Sequence, residues 1–434
     1  MSKFDILKGD VKDASVYGQR EELHGVVNKK SFDFITAVNK STQKHLAKEW
    51  SANIKANRRF WRKHQPLKSA LGLGKNKAVI GIGASPSFNK NKDVMAAYVL
   101  PDGLKDWEDR NFITIVANHQ FKPLLEMGVI PDFVLLVDGS NVVYDQLCKD
   151  IPGIGRHTIL ITGAHASPKV VREWTKQGRH ILFYLTHEPS CIEAFKVNMN
   201  RDPNNHKIEL GGNVMNGAWM IGAAIFQSSV FMGVGNDLSF PIADTIDGQR
   251  KNYYADGDYS SNAKVTGTGR DEAATHSRWA GFKLEKRHIL SPKESLNGID
   301  RYNIELDIVG TSKTLWVYKT WLESTIMGQT NAPARLHYFN CTEGGILGVM
   351  ARDDSDEALK NPKNWYMLDE VCINQHTGAA MYHTAMLKDA IEHFLKAKET
   401  LRWQGIMQSD APHVTASVLR NMEAIAGNAR IRAM

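Results

Sequence analysis

Cysteine is scarce. There are four in 434 residues, Cys148, Cys191, Cys341 and Cys372, and no two form a C-x-x-C pair. That spacing argues against zinc modules and a disulfide-stapled scaffold, and it reads as reduced thiols in a cytoplasmic protein. Long apolar runs are also missing. No stretch reaches the ~20 residues that span a bilayer, and the opening MSKFDILKGDVKD lacks the apolar core of a secretory signal. The chain contains no H-E-x-x-H, no G-x-S-x-G and no Gly-Lys-Ser/Thr after a glycine-rich loop. Zinc-protease, α/β-hydrolase and P-loop readings fall with them. Repeats and low-complexity tracts are absent.

What is present is a foldable composition, 42% apolar and 23% charged, enough for a sizeable core. The net charge of +7 is uneven: residues 1–75 hold 16 Lys and Arg against 7 Asp and Glu, or +9, which leaves −2 for the rest. The excess peaks at Lys55, Arg58, Arg59, Arg62 and Lys63, interleaved with Phe60 and Trp61. Such a segment either contacts nucleic acid or an anionic surface, or is a solvated helix face whose aromatics pack inward. The second reading is the favoured one. Leu46, Trp50, Ile54 and Trp61 recur at helical spacing within a predicted helix over 31–65, and Pro66 and the LGLG at 71–74 end it.

From residue 76 the pattern changes to strands alternating with helices. Continuous apolar runs begin at Ala78, Phe112, Phe133, Thr158, His180 and Val230, with helical stretches at 119–127, 168–177 and 214–227 between some of them. Runs that are apolar throughout predict strands buried on both faces, hence a Rossmann-like α/β fold with a mostly parallel sheet. Residues 243–300 are polar and rich in Gly, Asp and Asn, as a binding insertion would be. A strand at 305–310, a helix over 313–327 and a strand from Leu336 follow. Helices are predicted over 377–403 and 411–425. The expected organisation is a basic helical region over 1–75, an α/β domain over 76–350 and a helical region over 351–434.

Five successive strand ends carry polar or glycine residues. These are Gly81, Gly83, Ser85 and Ser87; Asn118; Asp138; Gly163 with His165; and Gly235-Asn236-Asp237. One polar strand end is usually a turn. A whole row at C-terminal ends is better explained by a ligand crevice, where open α/β sheets bind nucleotides. Gly211-Gly212-Asn213 opens the apolar helix at 214–227, whose first N–H groups suit an anion. Asp256-Gly-Asp258 could chelate a metal on a diphosphate, although such pairs are common in polar loops. His165, His276 and His383 are the candidate general bases.

In chain order, GIGASPSF, VANHQF, MGVIPDFVLLVDG, TGAHAS, GGNVMNGAWMIGAAIF, VFMGVGNDLSF and NCTEGG resemble the motility accessory factor (Maf) flagellin glycosyltransferases. Their central domain is shared with archaeal 6-hydroxymethylpterin diphosphokinases of the MptE type, and the pattern is also similar to a class of bacterial sialyltransferases. The resemblance covers roughly residues 76–350. It implies a nucleotide against Gly81, Gly83, Ser85, Ser87 and Asn118, with Asp138, Gly163, Gly211, Gly212 and Asn213 lining the same crevice. Thr342-Glu343-Gly344-Gly345 matches the Maf pattern. Two departures stand out: Ala84-Ser85-Pro86-Ser87-Phe88 replaces Gly-Pro-Ser-Leu, and Gly211-Gly212-Asn213 replaces Gly-Gly-Ser. The implied activity is transfer of a CMP-activated nonulosonic sugar to a protein or small-molecule acceptor. His276 would be the acceptor base, Tyr253 and Tyr254 would assist the leaving phosphate, and Asp237 is a further catalytic candidate. The alternatives are pyrophosphoryl transfer from ATP and Mg²⁺, with Asp138, Asp237 or Asp256 and Asp258 on the metal, and a non-catalytic member docked to nucleic acid through 55–63.

Overall fold

The computed structural model describes residues 46–208, 210–241, 245–246, 249–250, 285–292, 302–310, 313–330, 337–351, 365–375, 378 and 380–403. Nine strands form one sheet: β1 (Gln65–Pro66), β2 (Ala78–Ile82), β3 (Phe112–Ala117), β4 (Phe133–Leu136), β5 (Ile159–Gly163), β6 (Ile181–Tyr184), β7 (Val230–Val234), β13 (His337–Asn340) and β16 (Tyr382–Thr384). Their order is β1-β6-β5-β4-β3-β2-β7-β13-β16, and every pairing is parallel. The smaller strands are β8 (Phe240–Pro241), β9 (Thr245–Ile246), β10 (Gln249–Arg250), β11 (Glu285–Pro292), β12 (Tyr302–Gly310), β14 (Val349–Ala351) and β15 (Trp365–Met367). They pair antiparallel: β11 with β12 and β12 with β8, β9 with β10, and β14 with β15.

Side chains of the sheet alternate between two cores, as a period of two requires. Ile80, Ile82, Val116, Val134, Leu136, Leu160 and Phe183 face one core. Val79, Ile113, Ile115, Leu135, Ile161 and Tyr184 face the other. The first core is covered by α1 (46–61), by the helical segment α2 (92–103), and by α3 (Asn118–Glu126), α4 (Pro168–Lys176), α5 (Pro189–Met199) and α8 (Leu387–Trp403). The second is covered by α6 (Val214–Met220) and α7 (Lys313–Met327). The sheet is therefore doubly wound. The chain lays β1 at one edge, crosses to the interior strand β2, walks back towards β1 through β3, β4, β5 and β6, and returns to β7 on the other side of β2. All four cysteines are buried and unpaired with one another. No helix among the described residues is long and apolar enough to cross a membrane.

Helix α1 lies on the sheet. Ile54, Phe60 and Trp61 enter the core, while Lys55, Arg58, Arg59, Arg62 and Lys63 stay exposed. The basic segment is thus the solvated face of an amphipathic helix. Two readings are revised. The apolar helix from Val214 is α-helical to Met220 and then widens by one residue per turn over Ile221–Ile225, closed by the Phe226 N–H on the Ile221 carbonyl at 2.8 Å. Residues predicted helical from 377 instead supply β16, and the helix starts at Leu387. Tyr382 pairs with Tyr338 across β13 and their rings stack 5.6 Å apart. Edge pairing with an existing strand outweighs weak local helix preference. The helix predicted over 411–425 lies outside the described residues.

Candidate functional site at the carboxyl edge of the sheet

The chain leaves neighbouring strands β2 and β7 in opposite directions, and open α/β sheets place their crevice at such a point. Here the two departing loops touch. The Gly83 N–H donates to the Val234 carbonyl at 2.8 Å, and the Ser85 N–H to the Gly235 carbonyl at 3.1 Å. A Cβ on Gly83 would overlap the Gly235 carbonyl, and Gly235 itself has φ +62°. Only glycine permits both the contact and that backbone conformation.

Asp237, three residues past β7, reaches across to the β2 loop. Its carboxylate accepts the Ser87 hydroxyl and, at 3.3 Å, the Ser87 N–H; its own N–H meets Ser85 Oγ at 3.3 Å. Ser87 and Asp237 are both buried. The carboxylate therefore caps the turn Pro86–Asn91, occupying with protein charge the position an external anion would take. Burial pushes its pKa up to about 6, opposed by the Ser87 hydrogen bonds and by Lys90.

The loop after β13 locks onto the same pair. The Cys341 N–H donates to the Gly233 carbonyl at 2.8 Å and the Ile346 N–H to the Asp237 carbonyl at 3.0 Å. A Cβ on Gly345 would overlap the Asp237 backbone. Thr342 is buried beside Glu343, which stands at φ +56°. Glu343 Oε1 accepts from Asn91 Nδ2 at 2.7 Å, and its carbonyl accepts from Lys90 Nζ at 2.5 Å. Burial raises the Glu343 carboxyl above its ordinary range. Behind this loop, a buried Lys319–Glu323 pair at 2.7 Å fastens α7, with Glu323 Oε1 accepting the Gly348 N–H at 2.7 Å.

The opposite half of the edge is more open. Asn118 Nδ2 donates to Gln146 Oε1 at 2.6 Å, and Gln146 Nε2 lies 3.0 Å from His119 Nδ1. Asp138 is exposed and accepts from the N–H and hydroxyl of Ser140 at 2.7 and 3.0 Å. The loops after β4 and β5 are held by α1. Asn53 Nδ2 reaches the Gly139 and His165 carbonyls at 3.1 and 3.0 Å, and Asn57 Nδ2 reaches those of Ala164 and Ala166 at 3.1 and 2.7 Å. Neither asparagine was singled out from the sequence. The available signal was an i, i+4 pair of asparagines on the apolar face of a helix, where carboxamides need buried partners.

Gly81 lies inside β2 beneath Phe231 and Met215 of α6, and Gly163 ends β5 against the His165 ring. His165 is buried, 4.5 Å from the Trp50 ring, with Nε2 on the Val137 carbonyl at 3.1 Å; burial lowers its pKa. That makes it a neutral packing histidine. His383 is bonded to His337 at 3.1 Å and stacked 4.5 Å from Phe339, its pKa lowered to about 3 by burial and then by His337. Asn213 caps α6, its side chain accepting the Asn216 N–H at 2.8 Å. Trp321 and Tyr318 of α7 lie against Gly211 and Gly212. His276, Tyr253, Tyr254, Asp256 and Asp258 lie outside the described residues. The fold thus gathers Gly83, Ser85, Ser87, Asp237, Thr342 and Glu343 into one block, with Asn118 and Asp138 on the adjoining strand ends.

Residues 48–243 match the family described as 6-hydroxymethylpterin diphosphokinase MptE-like. No curated protein matches the chain. Among solved structures, a Maf glycosyltransferase from Magnetospirillum magneticum AMB-1 is similar at 14% identity and a TM-score of 0.41, over 69% of this chain and 37% of that one. The present chain spans little more than a third of that protein. The matched stretch runs from α1 to just past β8, and over it the chain is similar to the MptE-like family.

Proposed function

We propose that this protein is a nucleotide-dependent transferase that takes a CMP-activated nonulosonic sugar as donor. The observation that carries the reading is the block of polar loops at the β2/β7 switch, beside the more open ends of β3 and β4. The nucleotide would lie along this edge, with Asn118 and Asp138 on one side and the Gly83–Ser87 and Thr342–Gly345 loops on the other. Backbone N–H groups there would stabilise the leaving phosphate, as oriented dipoles do without reorganising. Asp237 would hold the Ser87 loop in place, and His276, with Tyr253 and Tyr254, is the proposed source of acceptor activation. Calorimetric titration with CMP, CDP, UDP and ATP plus Mg²⁺ tests the assignment. Preferential binding of CMP is expected; tight ATP–Mg²⁺ binding with none of CMP would sink it.

The matched family favours a second reading, pyrophosphoryl transfer from ATP to a hydroxymethylpterin. Among the described residues there is no group of three or more His, Cys, Asp or Glu side chains arranged to hold a metal. Magnesium on a nucleotide needs only one or two carboxylates beyond the phosphates. Exposed Asp138 fits that task better than Asp237, which is occupied by Ser87. Pterin-dependent AMP release, weakened in Asp138→Asn, would establish this reading over the first.

A further inference from the structure

Among the described residues, one buried cation has donors that no hydrogen-bond acceptor meets. Arg179 follows the turn that ends α4, and only 4% of it is exposed. Its Nε and Nη1 have no hydrogen-bond partner among the described residues, and its guanidinium lies 4.5 Å from the Trp174 ring centre. The simplest role, capping the end of α4, is already filled. The carbonyls of Glu173, Trp174 and Thr175 accept the backbone N–H groups of Gln177, Arg179 and Gly178 at 3.1, 3.2 and 3.0 Å.

Among the described residues, the charged group that acts on Arg179 is of its own sign. Arg156, in the turn Gly153–His157 that precedes β5, adds to burial in lowering the Arg179 pKa to about 10. His157 is lowered by burial and then by Arg156 and Arg179. The remaining ionisable neighbour is Cys148, whose thiol burial pushes up to about 12, so it stays neutral. A guanidinium buried beside another cation is costly unless an anion meets it. The planar donor fork of arginine suits an oxyanion, and the Trp174 face supplies a floor for it. Arg156 and His157 are exposed.

We propose that Arg179, Arg156 and His157 form a binding site for a tetrahedral oxyanion of the phosphate type, at the amino-terminal edge of β5 and β6. It stands at the end of the sheet opposite the nucleotide crevice, across roughly 15 Å of strand. It is independent of the transferase reading.

The test is the thermal unfolding midpoint of the full chain against inorganic phosphate, with chloride at matched ionic strength as control. A second arm uses glycerol phosphate. A saturable rise is expected in the wild type, with apparent affinity weakened roughly tenfold in Arg156→Ser, the effect of losing one charge-assisted contact. Arg179→Gln should abolish it, and if that variant fails to fold, the exposed Arg156→Ser carries the test. A rise with inorganic phosphate identifies a free ion as ligand, and a rise with the ester alone identifies a phosphorylated metabolite; either supports the site. No saturable rise in either arm, or one that persists unchanged in Arg156→Ser, overturns it. Nucleotide binding measured in parallel on Arg156→Ser should be unchanged.

Discussion

The two halves of the carboxyl edge are built on different principles. At β2, β7 and β13 the loops interlock through glycines, and the carboxyls of buried Asp237 and half-buried Glu343 have raised pKa values. Of the loops after β3, β4 and β5, the last two are held from outside by asparagines of α1, and Asp138 remains in water. The first half is rigid because backbone touches backbone, which leaves no side chain to adjust. The second half keeps its polar groups near solvent, where a ligand can exchange with water at small cost. A site that binds and releases a nucleotide gains from one fixed wall and one accessible wall.

The comparison can be broken at its strongest point first. Gly83→Ala sets a Cβ against the Gly235 carbonyl, so a loss of about 3 kcal/mol is expected in urea unfolding, at the upper end for overpacking. A loss below one-third of that would mean the loops yield and the wall is not fixed.

Next is the pH dependence of Asp237. Its folded pKa, about 6, lies above the ordinary carboxyl value, so folding favours the protonated form. The contribution is fully present below about pH 4 and is lost as pH rises through 6, on the order of 3 kcal/mol in total. Asp237→Asn should therefore be more stable than wild type at pH 8, with the gap closing by pH 4. A gap that does not change with pH would refute the buried charge.

In the open half, Asn57→Ala leaves the Ala164 and Ala166 carbonyls without their donor. A cost of about 2 kcal/mol is expected, together with weaker nucleotide binding. If affinity is untouched while stability falls, α1 serves the fold alone. Asn213→Ala removes a helix cap and should cost about 1 kcal/mol; nucleotide affinity measured beside it shows whether Gly211-Gly212-Asn213 is a wall or scaffolding. Smallest of all, Arg58→Ala with Lys55→Ala on the exposed face of α1 should leave the melting midpoint unchanged. A nucleic-acid affinity that falls with salt and is lost in this variant would reopen the docking reading.

The strands were legible because burial on both faces demands continuous apolar runs. Val230–Val234 and Ala78–Ile82 begin where the sequence reading places them. Helix Lys313–Met327 was legible in the same way. β16 was not, since three residues carry too little pattern to compete with a following helix. In the site, Ser85, Ser87 and Asp237 could each be named from strand ends, and Glu343 from the resemblance of its Thr-Glu-Gly-Gly segment. That Asp237 occupies Ser87, and that Asn53 and Asn57 hold the far loops, could not be read. These contacts join residues 150 and 86–112 positions apart.

By itself, then, the sequence determined a parallel α/β sheet and the row of polar strand ends, because strand burial and turn chemistry are local and periodic. Only the tertiary structure decided how those ends divide. The reversal at β2 brings β7 beside it and β13 beside β7. Backbone contact and desolvated charge then make one wall, and α1 laid across β4 and β5 makes the other. Burial and charge pairing depend on what the fold brings near, and no spacing along the chain encodes that.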